Sequence, residues 1–255
     1  MKALKKMHEE TEIFTNYIKS LKEIYTKKYY TKLIYLAEVR KYSIETLLNH
    51  DIFYIEKDDE LMLPGYEDYM ESVFGIVHHG RIMFNERWII PIKNSRGKVI
   101  AISGYSVIHK ERYVFSNSKY YLRRHTLYGL ENMRIAYEKG WAILTEGITD
   151  ALRLRDMGIL NSFANCGVHS SPIISDMLNR LGGVIKIPDR DYSGMKACRN
   201  WVFNRQIVIY PPLEFKDIDE TLRNDKYKEN FLWCLEKGIQ ILLSENLKNN
   251  VEFLL

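Results

Sequence analysis

The sequence predicts an α/β protein whose second half is a mainly parallel sheet flanked by helices, preceded by a mixed α+β, basic first half. Three observations carry this expectation. From Trp141 onward, short apolar runs alternate with helix-patterned segments of about ten residues, and such alternation builds parallel strands covered on both faces by their crossover helices. Before Trp141, two apolar runs flank the turn "NSRG", the pattern of an antiparallel hairpin. Residues 1 to 50 mix Lys, Glu, Tyr and Leu at helical spacing without Gly or Pro, so two or three helices are expected there.

The elements follow in order. Ser43 is placed to cap the short helix "IETLLNHD". Pro64-Gly65 and the acidic patch from Glu67 to Glu71 precede the hairpin "RWIIPIKNSRGKVIAISGYSV". "WAILT" reads as a strand, "ITDALRLRDM" as a helix stopped at Gly158, and "NSFANCG" as a second strand. Ser171 and Pro172 suit the N-cap and first residue of "PIISDMLNRL", which ends at Gly182-Gly183. "VIKI" is the third strand, Ser193 the expected cap of "GMKACRNWVF", and "QIVIY" the fourth strand. The C-terminal stretch has room for one or two helices. The expected divisions are a helical and antiparallel basic subdomain at 1–135, a catalytic domain at 136–225 and a helical segment at 226–255.

Composition narrows the function classes. A chain of 255 residues with 46% hydrophobic content supports a full core. No run approaches the roughly 18 apolar residues of a membrane span, and "MKALKKMHEETEIF" lacks the apolar centre of a signal peptide. A soluble cytoplasmic protein with no membrane partner is therefore expected. Cys166, Cys198 and Cys234 lie far apart and form no CxxC pair, which argues against a zinc ribbon or disulfide framework. The net charge of +4 is unevenly spread: residues 81 to 125 hold ten Lys or Arg against Glu86 and Glu111, leaving the remainder net acidic. That polarity suits a polyanionic partner held beside a cation-binding acidic centre.

The acids fall where an open α/β sheet collects ligands, beyond the carboxyl ends of its strands. Glu146 follows "AILT", with Asp150 four residues on; Asp189 and Asp191 follow "VIKI"; Asp217 and Asp219 follow "QIVIYPPLEFK". Crowded carboxylates raise one another's pKa and cost stability unless cations neutralise them. Oxygen donors without His or Cys favour Mg²⁺ or Mn²⁺ over zinc. Such ions, held by few protein oxygens, keep positions open for phosphates and water. A single Asp-x-Asp after a strand is ordinarily a turn or a cap; acids at three strand ends point to a site.

"TEGITDALRL", then "PDRDYSG" with Asp189 lying 43 positions after Glu146, then "KDIDE", resemble the Toprim domain. Upstream, "RWIIPIKNSRGKVIAISGYSV", "ERYVFSNSKYYLRRHTLYGLENMRIA" and "RKYSIETLLNHDIFYI" resemble the catalytic core of bacterial DnaG-type DNA primases, over about residues 36 to 225. The resemblance implies a nucleotidyltransferase of the DNA-directed RNA polymerase type, making short RNA primers on single-stranded DNA from NTPs. It implies Glu146, Asp189 and Asp191 as catalytic metal-binding acids, with Asp150, Asp217 and Asp219 supporting them. It also implies Arg112 and Arg123 as residues for the nucleotide phosphates or the template, and the charge of the basic segment adds Arg81 and Arg124 to that expected set.

The chain departs from the family pattern at Arg190, where a small residue is usual, and at Lys119, which follows Asn-Ser in place of Pro-Glu. The family's zinc-binding module and its full helicase-binding domain are expected to be missing from it. The expectation is a short, phage-type version whose partners include a separate zinc-binding module and a replicative helicase. A Toprim nuclease and a non-catalytic DNA-binding accessory are the rival readings. Tyr113, Tyr120 and Tyr121 stand among basic residues, but packing explains them as well as base stacking does.

Overall fold

The computed structural model describes residues 2–78, 81–82, 84–166, 171–244 and 251–254. The chain divides into two compact units, residues 1–121 and 122–255.

The first unit opens with helices α1 (Lys2–Lys28), α2 (Tyr30–Arg40) and α3 (Ile44–Asn49), the last capped at Ser43, whose hydroxyl accepts the Thr46 N–H at 3.1 Å. Along α1, Phe14, Tyr17, Ile18, Leu21 and Tyr25 recur at helical spacing and are buried. Strand β1 (Phe53–Ile55), helix α4 (Glu67–Ser72) and the short pair β2 (Val77–His78) and β3 (Arg81–Ile82) follow. The expected hairpin is β4 (Arg87–Lys93) with β5 (Val99–Tyr105), and β6 (Tyr113–Phe115) completes an antiparallel sheet of order β1-β4-β5-β6. Helix α1 lies on this sheet: Phe14, Tyr17 and Leu21 share a core with Phe53, Ile89 and Ile102, and Thr15 Oγ1 accepts the Val99 N–H at 2.9 Å. All three tyrosines pack, the Tyr113 ring lying 5.0 Å from that of Tyr105. Tyr121 is buried against Ile92 and Ala101, and the Tyr120 hydroxyl bonds the Glu10 carboxylate.

The second unit is the parallel sheet. Helix α5 (Met133–Lys139) leads into β7 (Trp141–Thr145), α6 (Ile148–Asp156), β8 (Ser162–Ala164), α7 (Pro172–Leu178), β9 (Gly183–Ile187), α8 (Tyr192–Asn200), β10 (Gln206–Tyr210), α9 (Ile218–Leu222), α10 (Asp225–Leu243) and β11 (Val251–Leu254). The five strands run in the order β11-β10-β9-β7-β8, all neighbours parallel. Alternation along the strands sorts the two faces. Ile143, Ile185, Ile187, Ile207 and Ile209 meet α6, α9 and α10, while Ala142, Leu144 and Val184 meet α5, α7 and α8.

Two local expectations change. Asp191 caps α8 in place of Ser193, accepting the Gly194 N–H at 2.8 Å. The C-terminal stretch is not wholly helical, because β11 pairs along β10 from Ile207 to Tyr210. A four-residue segment interrupted by Glu252 carries little strand signal until a sheet edge supplies its hydrogen bonds.

The "LYGL" segment belongs to the second unit. Tyr128 exchanges backbone hydrogen bonds with Ala164, its buried ring lies 4.9 Å from the Arg155 guanidinium carbon, and Gly129 has φ +99°. A Cβ on Gly129 would stand 2.0 Å from Arg155 Nη2, so only glycine permits this approach.

Candidate functional site

Strand order creates the site. β7 and β9 are neighbours, and Thr145 pairs with Ile187, the last residue of each strand, so Glu146 and Pro188-Asp189 leave the sheet side by side. β10 flanks β9 on the other side and leads through the 211–217 loop to Asp217.

Five of the six predicted acids separate into two sets, and the sixth, Asp217, caps α9. Glu146, Asp189 and Asp191 line the outer edge. Glu146 is half-buried, and among the described residues its Oε2 is buried without a hydrogen-bond partner. Burial, then the Asp191 charge, raise its pKa against the opposing pull of Lys216. Asp189 is pushed up to about 7 by burial, Glu146 and Asp217. Asp191 goes the other way, because the Gly194 N–H and the Lys216 ammonium favour its charged form. Helix α8 starts so close to Asp189 that a Cβ on Gly194 would stand 2.4 Å from the Asp189 carbonyl oxygen.

Asp150 and Asp219 form a buried layer beneath. Asp150 accepts the Gly147 N–H and the Asp219 N–H, each at 3.1 Å, tying the start of α6 to the start of α9. It therefore turns back over its own helix N-terminus instead of stacking one turn from Glu146. Burial and the neighbouring acids raise its pKa well above the usual range. Asp219 is fully buried and paired with Arg153 at 3.0 Å and Arg223 at 3.3 Å. Asp217 caps α9, accepting the Glu220 N–H at 2.7 Å.

Lys216, which sequence reasoning passed over, enters this edge. Its Nζ lies 3.2 Å from Asp191 Oδ2 and 3.5 Å from Asp189 Oδ2. Burial works against its charge, but the two aspartates outweigh it and hold its pKa above the ordinary lysine value. Its place in the motif "KDIDE" was visible, but its partners became so only once β10 was set beside β9. Arg190 points elsewhere: its N–H bonds the Lys216 carbonyl at 2.6 Å and its Nη1 bonds the Pro211 carbonyl at 2.7 Å, bracing the 211–216 loop.

The donor set is all oxygen and includes the unsatisfied Glu146 Oε2, which fits Mg²⁺ or Mn²⁺. Among the described residues, no three His, Cys, Asp or Glu side chains stand close enough together to hold an ion, and the lysine lies between two of the acids.

The basic residues are placed separately. In the first unit Arg112 is exposed just before β6, while the Arg81 side chain lies outside the described residues. In the second, Arg123 donates from Nε to the Cys166 carbonyl, and exposed Arg124 bonds His125 at 3.0 Å. All three cysteines are buried thiols, and among the described residues no helix is long and apolar enough to cross a membrane.

No protein-family model matches the chain. A DNA primase from Thermotoga maritima is 26% identical over 240 residues, covering 86% of this chain and 41% of that protein. A DNA primase from Aquifex aeolicus is 32% identical over 139 residues, covering 51% of this chain and 28% of that protein. The chain thus spans less than half the length of these relatives. Among solved structures, a DnaG primase catalytic domain bound to single-stranded DNA matches with a TM-score of 0.76 and 20% identity, over 94% of this chain and 84% of that one. The Escherichia coli primase catalytic core matches with a TM-score of 0.73 and 21% identity, over 92% and 84% respectively. The chain is thus similar in sequence to bacterial DNA primases, and its carboxylate-lined sheet edge sits in the fold of the DnaG primase catalytic core.

Proposed function

We propose that the chain is the catalytic core of a DNA primase, joining NTPs into short RNA primers on a single-stranded DNA template by metal-dependent nucleotidyl transfer. One observation carries the reading: in a fold shared with primase catalytic cores, two adjacent parallel strands deliver Glu146, Asp189 and Asp191 to one edge.

In this reading Glu146, Asp189 and Asp191 would close from their present separation onto Mg²⁺ or Mn²⁺, which would neutralise triphosphate charge and activate the attacking 3′-hydroxyl. The unpaired Glu146 oxygen supports that assignment, since it belongs to a buried carboxylate short of a cation. Asp150 and Asp219, with Arg153, fix the helix starts behind the edge, and Asp217 shapes the loop that carries Lys216. Arg81, Arg112, Arg123 and Arg124 meet template and nucleotide phosphates, contacts that position the strand without reading its sequence. In functional terms 1–135 is the basic subdomain, 136–225 the catalytic domain and 226–255 the C-terminal segment.

The solved Aquifex aeolicus primase comprises zinc-binding and RNA polymerase domains. We assign this chain a zinc-binding module and a replicative helicase as partners, and a cytoplasmic location. The test is incorporation of labelled NTPs into short RNA on single-stranded DNA with Mg²⁺. The wild type makes primers and Asp189→Ala makes about 100-fold fewer or none; primer synthesis by Asp189→Ala at the wild-type rate overturns the reading.

A further inference from the structure

Lys216 stands between two carboxylates of the proposed dication edge, its Nζ 3.2 Å from Asp191 and 3.5 Å from Asp189. Its backbone is held on both sides. The Lys216 N–H bonds Glu220 Oε2 at 3.1 Å, and its carbonyl accepts the Arg190 N–H at 2.6 Å. Arg190 is held in turn by the Pro211 carbonyl at 2.7 Å. The side chain, by contrast, is 56% exposed. A fixed backbone with a mobile four-carbon stem lets the ammonium leave and return without moving the loop.

We infer that Lys216 is a built-in counter-cation that competes with the divalent ion for Asp189 and Asp191. In the metal-free protein it neutralises part of the edge charge. Entry of the ion requires the ammonium to swing out, since a dication and an ammonium on the same pair of carboxylates repel each other. The displaced ammonium stays tethered beside the site, where its charge suits the phosphates of an incoming nucleotide. Lys216 thereby sets the divalent-ion concentration at which the edge loads. The inference rests on the proposed reading of this edge as a dication site.

Mn²⁺ binding to the full chain, followed by electron paramagnetic resonance without nucleotide or DNA, tests it independently of primer synthesis. Lys216→Gln is expected to bind Mn²⁺ about tenfold or more tightly than wild type, because the competing charge is gone, and Lys216→Arg, which keeps the charge, to stay near wild type. Adding Mn²⁺ should also speed acetylation of Lys216 in the wild-type protein, read by mass spectrometry. Asp189→Asn should lose the bound ion. Equal or weaker Mn²⁺ binding by Lys216→Gln, with Asp189→Asn still abolishing it, overturns the lysine inference and leaves the dication reading standing. Mn²⁺ binding that Asp189→Asn leaves unchanged, or no binding by any variant, overturns both.

Discussion

Arg153 Nε lies 3.0 Å from Asp219 Oδ1, with the arginine side chain 3% exposed and the aspartate 0%. A buried pair of this kind is costly to break from one side, because the remaining charge keeps its desolvation penalty. Arg153→Met is expected to destabilise the protein by about 3–5 kcal/mol in urea unfolding. Combining it with Asp219→Leu should recover part of that loss. A double variant less stable than Arg153→Met alone would show that Asp219 is held for reasons other than this pair.

Asp189 titrates near 7 because burial, Glu146 and Asp217 disfavour its charge. The folded pKa stands above the unfolded value, so folding favours the protonated form. The associated stability is full below about pH 4 and is lost as pH rises toward 7. In metal-free buffer, thermal unfolding between pH 4.5 and 8 should show wild type weakening with rising pH and Asp189→Asn losing much of that slope. At pH 8 the variant should be more stable by on the order of 1–3 kcal/mol. Identical slopes would remove Asp189 as the source.

Glu60 in the first unit gives the opposite sign. Burial opposes its charge, but bonds from Lys28, Tyr29 and the backbone N–H groups of Glu56 and Lys57 outweigh burial and bring its pKa to about 2. Its stabilisation is present above the unfolded value near 4.5 and is lost as pH falls toward 2. Glu60→Gln should cost about 1–2 kcal/mol at pH 7. It should also flatten the acid limb of a pH-dependent chemical unfolding series, and an unchanged limb would count against the assignment.

Gly129→Ala places a methyl group 2.0 Å from Arg155 Nη2 at a residue with φ +99°. The expected cost is about 2–4 kcal/mol, read as a lower melting temperature. Gly158→Ala makes the control for backbone strain alone: its φ is +83° but nothing stands within 4 Å of the added Cβ, so its loss should be the smaller.

Much of the fold was legible because its signals are local. The capped helix at Ser43, the hairpin about "NSRG" and the four strands from "WAILT" to "QIVIY" rest on periodicity and turn chemistry that each segment carries itself. The Asp191 cap was less legible. Ser193 and Asp191 both suit an N-cap, and only the close start of α8 at Gly194, against Asp189, separates them. β11 left little trace, because its strand identity is supplied by the free edge of β10.

What the sequence alone determined about the site was its inventory: Glu146, Asp189, Asp191 and Asp217 follow apolar runs, and such runs end at the carboxyl edge of a parallel sheet. Tertiary structure decided which of them meet. The order β10-β9-β7-β8 sends β8, whose end carries no acid, to the outside and sets β7 against β9. In chain order β8 would have stood between Glu146 and Asp189. The same packing drew Asp150 and Asp219 inward onto a helix start and Arg153, and brought Lys216 to the two aspartates. Strand order and burial depend on contacts between residues distant in the chain, and those contacts have no local signature to read.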